Sequence, residues 1–213
     1  MGTERARLTM VTEPTSALAE AYRVLRTNIL FAGSERRLRS LLVVGIGRER
    51  ASEVVANLAV ATAQAGVRTI VVDAHLREPE QHMVFMLPND KGLATTLTSD
   101  AAPPVQATQV PNLALLAAGP APLTTSELLG SARLDDVLAR LQQDADLLIL
   151  DAPPVGEIAD AAVLATKVDA VLLVVRAGVT RRPAAGEARE TLERVGAHVL
   201  GTVLIEPDRW WRR

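Results

Sequence analysis

The chain has 213 residues, of which 48% are apolar and 23% charged, and a net charge of −2. It is long enough to bury one large core, which predicts a single domain over residues 1–213, and it lacks the basic excess of nucleic-acid-binding proteins, so no nucleic-acid partner is expected. The absence of cysteine excludes disulfides and thiolate metal sites, and no stretch approaches the roughly 18 apolar residues of a membrane span, so we expect a cytoplasmic protein without a direct span.

The first predicted element is an amphipathic helix between residues 17 and 29. Its apolar residues recur at helical spacing and predict a stripe that faces the core. These residues are Leu18, Tyr22, Leu25 and Ile29. Glu20, Arg23 and Arg26 form a charged stripe beside them, which on an isolated helix is ordinarily a solvated face.

Six short apolar runs follow, as expected for parallel strands that are buried on both faces. They cover residues 41–46, 67–72, 113–117, 147–150, 170–175 and 199–204. Segments with helical periodicity separate most of them. This alternation predicts a doubly wound, mostly parallel α/β sheet flanked by helices, with a ligand crevice at the carboxyl ends of the strands. Residues 101–111 and 118–126 are predicted to be loops.

The segment after the first strand has the frame of a phosphate-binding loop. A strand, a glycine-containing turn and a helix place backbone N–H groups around phosphates, and either Gly45 or Gly47 supplies the turn glycine. In the pattern G-x-x-x-x-G-K-[ST], the last three positions fall on Arg50, Ala51 and Ser52. The lysine is therefore missing, while the hydroxyl that would contact Mg²⁺ remains. Ser52 is equally well suited to cap the following helix.

Two carboxylates follow predicted strands. Asp73 comes after the second run and Asp151 after the fourth. A carboxylate at a strand end faces the crevice and provides the oxygen ligands that Mg²⁺ prefers, so Ser52, Asp73 and Asp151 are the candidate metal ligands. An Asp at the end of a strand also often caps the next turn, and this alternative stays open for both residues.

The residues around these motifs resemble the bacterial protein-tyrosine kinases of capsule and exopolysaccharide synthesis, which are relatives of the cell-division and plasmid-partition P-loop ATPases. Residues 71–79 are similar to the family's second acidic motif, and residues 151–154 with Asp160 and Ala161 are similar to its third. Further similar segments are 91–93, 119–122, 127–131 and 199–204. The resemblance runs from about residue 13 to residue 204 and involves many motifs in order, which makes it more specific than any single motif.

The resemblance implies a P-loop NTPase-like fold that binds ATP or ADP with Mg²⁺. It also implies association with the membrane through a polysaccharide co-polymerase adaptor. Glu20, Arg23 and Arg26 match the family's E-x2-R-x2-R motif, which pairs adjacent subunits of a ring through carboxylate–guanidinium contacts. We therefore predict a ring-like homo-oligomer, with residues 1–40 as the oligomerisation helix and its connection.

The chain departs from the family at the phosphate-binding loop. The family has Gly-Lys-Ser where this chain has Arg50, Ala51 and Ser52. Arg48 or Arg50 is a conceivable substitute cation, but neither occupies the place of the lysine. The predicted degenerate nucleotide site comprises Gly45, Gly47, Arg48, Arg50, Ala51, Ser52, Asp73 and Asp151.

The chain also departs from the family and its relatives at positions that serve metal binding, adenine recognition and self-phosphorylation. His75 replaces an Asp of the second acidic motif, and Ile205 stands where partition ATPases have an adenine-reading Asn. The family's tyrosine-rich tail is replaced by a predicted flexible segment, residues 206–213, that contains Trp210 and Trp211.

We interpret the sequence as a P-loop-type domain that has lost kinase activity and serves as a regulatory or scaffold subunit in capsular or exopolysaccharide synthesis. No catalytic residue is assigned, although Asp73 and Asp151 hold the family's catalytic positions. Tight binding of ATP, ADP or Mg²⁺ is not expected. Two alternatives stay open: an active ATP-dependent tyrosine kinase with substitute cations, against which the tyrosine-poor tail argues, and a partition-like positioning ATPase, against which the E-x2-R-x2-R motif argues.

Overall fold

The computed structural model describes residues 7–32, 38–47, 51–156 and 158–205. The strands in these ranges are β1 Ser40–Gly45, β2 Thr69–Asp73, β3 Gln106–Ala107, β4 Leu113–Leu116, β5 Leu147–Asp151, β6 Ala170–Arg176 and β7 Val199–Ile205. The helices are α1 Thr9–Thr12, α2 Ala17–Ala32, α3 Ser52–Gln64, α4 Gln81–Val84, α5 Leu93–Leu97, α6 Thr125–Gly130, α7 Ala132–Asp144, α8 Asp160–Ala165 and α9 Arg182–Arg194.

The strands form one sheet in the order β3-β4-β2-β5-β1-β6-β7. Neighbouring strands are parallel except for β3 and β4, which are antiparallel. The chain enters the sheet at β1 and winds from there toward both edges. The predicted doubly wound, mostly parallel sheet is therefore confirmed.

Every predicted apolar run contains a strand, and the bounds agree within two residues. The predicted loops were wrong in two places. Strand β3 lies within residues 101–111, and α6 begins inside residues 118–126. β3 has only two residues, which pair with Ala114 and Leu115, so it is too short to leave a periodic pattern in the sequence.

Two apolar clusters fill the two faces of the sheet. Because successive side chains of a strand point to opposite faces, Leu42 and Val44 join one cluster while Leu41 and Val43 join the other. Helices α5 to α9 cover the first cluster, and α1 to α4 cover the second. Burial on both faces explains why the strands are continuously apolar in sequence.

Helix α2 buries a slightly different face from the predicted one. Tyr22 and Ile29 are buried and Leu25 is half-buried, as predicted, but Leu18 is 48% exposed. Ala19 is buried instead, in the same apolar cluster as Tyr22, Ile29 and the residues of α3, against which α2 packs. None of the helices in the described ranges is both long and apolar enough to traverse a bilayer.

A close backbone approach joins the start of α5 to the end of β4. The N–H groups of Leu93 and Ala94 donate to the carbonyls of Ala117 and Ala118, at 2.7 and 2.8 Å. A Cβ atom at Gly92 would lie 2.0 Å from the carbonyl oxygen of Ala117. Glycine is therefore required at this contact because nothing larger fits against the backbone.

We predict that Gly92→Ala destabilises the fold by about 2–3 kcal/mol, because the added methyl group meets backbone that cannot move aside. Gly186→Ala is the matched control. Gly186 lies on the exposed side of α9, where a Cβ meets nothing within 4 Å. The same change should stabilise the fold there by about 0.5–1 kcal/mol. Chemical denaturation of both variants checks this, and equal effects would contradict it.

Candidate functional site

The predicted metal-ligand residues Ser52, Asp73 and Asp151 meet at the carboxyl ends of three adjacent strands. β5 lies between β2 and β1, and Asp73 and Asp151 occupy directly opposite positions at the ends of β2 and β5. Ser52 begins the helix that follows β1. All three side chains are buried, with exposed fractions of 0% for Asp73, 1% for Asp151 and 2% for Ser52. The sheet thus brings together residues that are distant in sequence.

The turn after β1 is held by the loop that follows β5. Val155 donates its N–H to the carbonyl of Gly45 at 2.9 Å and accepts the N–H of Gly47 at 3.3 Å. Gly47 has φ +64°, a left-handed conformation that favours glycine, whereas Gly45 is the last residue of β1. Of the two candidates, Gly47 is therefore the turn glycine. Arg48 and Arg50 lie outside the described residues.

Helix α3 begins without a side-chain cap. Ala51 occupies the N-cap position, is 1% exposed and accepts the N–H of Val55 at 2.9 Å. Ser52 is the first helical residue. The alternative that Ser52 caps this helix was therefore wrong, and its buried hydroxyl instead donates to Asp151.

Gln81 was not predicted, and it is fully buried at the centre of the site. Its Nε2 group donates to Asp151 Oδ2 at 2.6 Å and to the carbonyl of Ser52 at 3.0 Å. Its backbone N–H donates to Asp73 Oδ2 at 3.0 Å. One residue thus joins the ends of β2 and β5 to the start of α3. A four-residue helix such as α4 shows no periodicity, so no sequence pattern marks Gln81.

The two carboxylates have different surroundings. Both oxygens of Asp73 accept backbone N–H groups, from His75 at 3.3 Å and from Gln81. Asp73 therefore caps the turn that follows its strand, which is the alternative role considered for it. Asp151 accepts side-chain donors through Oδ2, while its buried Oδ1 has no hydrogen-bond partner.

Burial makes both carboxylates difficult to ionise. Desolvation raises the pKa of Asp151 to about 6, although hydrogen bonds from Gln81 and Ser52 oppose the shift. Desolvation, followed by repulsion from Asp151, holds the pKa of Asp73 well above its usual range. The pair therefore resists carrying two negative charges when no cation is near.

The donor set fits Mg²⁺ in part. The hydroxyl of Ser52 and the carboxylates of Asp73 and Asp151 are hard oxygen ligands, and Asp151 Oδ1 is free to accept a cation. These residues would hold Mg²⁺, which would supply positive charge for phosphate oxygens. However, N–H donors occupy the other carboxylate oxygens. Within the described residues, no three His, Asp or Glu side chains form a metal-binding group.

His75 does not restore the missing carboxylate. Its side chain is 6% exposed, and its backbone N–H donates to Asp73. His82 lies in α4, and burial lowers its pKa. Neither arrangement supplies the oxygen ligand that an Asp at position 75 would provide.

Asp160 forms a second buried polar cluster. It accepts the hydroxyls of Thr125, at 3.0 Å, and Ser126, and its Oδ2 lies 3.5 Å from the Nε atom of Arg77. These contacts join the start of α8 to the start of α6 and to the loop after β2. The aspartate of the third motif is thus a structural junction, and the resemblance alone did not indicate its partners.

Comparison with known proteins gives a consistent result, although no family model matches the chain. Over 197 residues it is 36% identical to the tyrosine-protein kinase YwqD of Bacillus subtilis, which covers 91% of this chain and 83% of that protein. The kinase domain of the Escherichia coli tyrosine kinase ETK has a TM-score of 0.88 and 27% identity, over 98% of this chain and 84% of that domain. The chain belongs to the bacterial tyrosine-protein kinase family.

A more distant likeness concerns the fold alone. The cell division ATPase MinD of Pyrococcus furiosus matches with a TM-score of 0.67 at 23% identity, over 82% of this chain and 73% of that one. The predicted P-loop NTPase-like fold is therefore confirmed.

The charged stripe of α2 makes contacts within its own chain. Arg23 donates to Glu20 at 2.9 Å and to the carbonyl of Pro14 at 2.6 Å. Arg26 donates to the carbonyl of Ala61 on α3 at 3.1 Å. The Glu20 side chain is 66% exposed, so it is the member of the stripe with most surface available to a second molecule.

We predict that Asp151→Asn changes how stability depends on pH in metal-free buffer. The folded pKa of about 6 lies above the unfolded value. Folding therefore favours the protonated form, and this stabilisation is present below about pH 4 and is lost as the pH rises through 6. Relative to Asp151→Asn, the wild type should lose up to about 3 kcal/mol of unfolding free energy over this range.

Urea denaturation between about pH 4 and pH 7 measures the difference. Asp136→Asn on the exposed side of α7 is the control, and its pH profile should follow the wild type. A constant difference between wild type and Asp151→Asn would contradict the assigned burial effect.

Proposed function

We propose that this tyrosine-kinase relative is a catalytically degenerate, regulatory or scaffold subunit of capsular or exopolysaccharide synthesis and export. The observation that carries the proposal is the phosphate-binding loop, in which Arg50-Ala51-Ser52 replaces Gly-Lys-Ser while Glu20, Arg23 and Arg26 are kept. The chain assembles as a ring through α2, and a membrane co-polymerase adaptor holds it at the cytoplasmic side. The polysaccharide context and the adaptor follow from the family resemblance.

The missing lysine supports the proposed loss of kinase activity. A preorganised cation that stabilises transferring phosphate typically contributes ~10²–10³ in rate. A charge-assisted hydrogen bond to the phosphates also contributes about 1.5–3 kcal/mol to binding. Ala51 has no donor, and its exposed fraction is 1%, so the position is part of the apolar core beside α3.

The tyrosine content supports the same proposal. The sequence has a single tyrosine, Tyr22, which is 6% exposed and packs into the core from the buried face of α2. A buried tyrosine does not reach the active site of another subunit without unfolding of its helix. This chain therefore offers no ready tyrosine for self-phosphorylation.

Nucleotide binding tests the proposed loss of activity. We predict no ATP or ADP binding tighter than about 1 mM, equivalent to about −4 kcal/mol, because the loop cation is absent. Isothermal titration with Mg²⁺ measures this. The double substitution Arg50→Gly with Ala51→Lys should restore measurable affinity if the frame is intact. Micromolar, Mg²⁺-dependent binding by the wild type would favour an active kinase with substitute cations.

Assembly tests the proposed scaffold role. We predict that the chain associates without nucleotide and that Glu20→Ala weakens this association while lowering the unfolding free energy by no more than about 0.5 kcal/mol. Arg23→Ala with Arg26→Ala should act in the same direction, although it also removes contacts to Pro14 and Ala61. Multi-angle light scattering at micromolar concentration measures the mass.

Glu193→Ala provides the matched control for Glu20→Ala. Glu193 accepts Arg189 at 2.7 Å in an exposed pair on α9, far in sequence from α2. Its loss should leave the mass unchanged, since such a pair contributes only about 0.3–0.5 kcal/mol within its own helix. A monomeric wild type at all salt concentrations would refute the scaffold role.

A further inference from the structure

Gln81 lies between the two buried strand ends of the crevice and is bonded to both of them. Each N–H of its carboxamide has an acceptor, one on Asp151 and the other on the carbonyl of Ser52. Its backbone N–H has the third acceptor, on Asp73. The residue is 0% exposed, so these contacts are made without solvent. Gln81 therefore donates to both carboxylates that a cation would contact.

The fold fixes this residue in place. Gln81 is the first residue of α4, and the preceding Glu80 makes no side-chain cap. The N–H groups at the start of a helix need acceptors, and Asp73 provides one for Gln81. Position 81 is thus anchored to β2 by its backbone while its side chain extends toward β5.

The orientation of the carboxamide is also determined by its neighbours. Nε2 faces two acceptors, the Oδ2 of Asp151 and the carbonyl oxygen of Ser52. A flipped amide would place Oε1 against both of these oxygens and lose both hydrogen bonds. In the observed orientation Gln81 Oε1 and Asp151 Oδ1 are buried and have no hydrogen-bond partner. Their unused lone pairs leave the site with a residual preference for positive charge.

We infer that the Gln81 carboxamide is a built-in occupant of the divalent-cation site, an autoinhibitory contact that competes with a cation for Asp151. The N–H donor already uses a lone pair of Oδ2, so a cation that binds Asp151 through both oxygens would have to displace it, while Oδ1 stays open. The hydrogen bonds from Gln81 allow both carboxylates to remain buried without a metal ion. This inference rests on the proposed function only in treating the crevice as a degenerate nucleotide site.

Cation binding without nucleotide tests the inference. Gln81→Ala removes the competing donor and should bind Mn²⁺ at least about tenfold more tightly than the wild type at about pH 8. Electron paramagnetic resonance of free Mn²⁺ measures the affinity. Thermal unfolding is a second readout, in which Mn²⁺ should raise the Tm of Gln81→Ala more than that of the wild type. Gln143→Ala is the matched control, because Gln143 lies on the exposed side of α7.

Gln81→Asn keeps the amide but shortens its reach, and it should also gain Mn²⁺ affinity. This variant decides the question if Gln81→Ala does not fold. Adding Asp151→Asn to either variant should abolish the gain, which places the cation at Asp151. Unchanged Mn²⁺ affinity in both variants would overturn the inference, and so would weaker affinity, which would make Gln81 a metal ligand.

The outcome is separable from that of the proposed function. Tight ATP binding by the wild type would refute the degenerate-kinase proposal, yet Gln81 could still compete with Mn²⁺. Conversely, an unchanged Mn²⁺ affinity in the Gln81 variants would leave the loss of nucleotide binding untouched.

Discussion

Two carboxylates that end adjacent parallel strands impose the main constraint on this site. Asp73 and Asp151 are directly opposite each other and buried, and in the described part of the chain the donors to them are backbone N–H groups and the side chains of Gln81 and Ser52. Burying charge is costly unless hydrogen bonds or counter-charges compensate it. Backbone N–H groups satisfy Asp73, and Gln81 with Ser52 satisfies one oxygen of Asp151. The segment after β2, which contains Gln81, therefore has to lie over the ends of β2 and β5 to supply these hydrogen bonds.

The backbone of the phosphate-binding loop and α3 is maintained for reasons that are independent of catalysis. Helix α3 is buried along nearly its whole length, from Ser52 to Ala63, so packing alone requires its apolar residues. Likewise, Gly47 is needed for a left-handed turn whether or not phosphate binds. The core therefore maintains a phosphate-loop frame even when the lysine is absent. A retained frame is for this reason weak support for retained catalysis.

The sequence predicted the elements that are long and periodic, and it failed where structure depends on distant partners. Strand order places Asp73 beside Asp151, which the carboxyl-end rule for parallel sheets anticipates. Gln81 was not predicted, because its partners lie 29 and 70 residues away and its own helix has four residues. Leu18 was misplaced because helical spacing allows more than one apolar stripe, and only packing against α3 selects the buried one. Two buried carboxylates need hydrogen-bond donors, which indicates that such a residue exists but does not identify it as Gln81.

The surface of α2 shows why ion pairs alone would not account for the proposed assembly. Glu20 and Arg23 already satisfy each other within one chain, so an interface that uses them must replace this contact with an equivalent one. Such an exchange yields little free energy at an exposed site. Val24 and Phe31, seven residues apart on the same helix, are 53% and 73% exposed. Burial of apolar surface contributes about 25 cal/mol per Å², so in the proposed ring these two side chains would add association energy that the ion pairs lack, while the charged residues would set the alignment of the subunits.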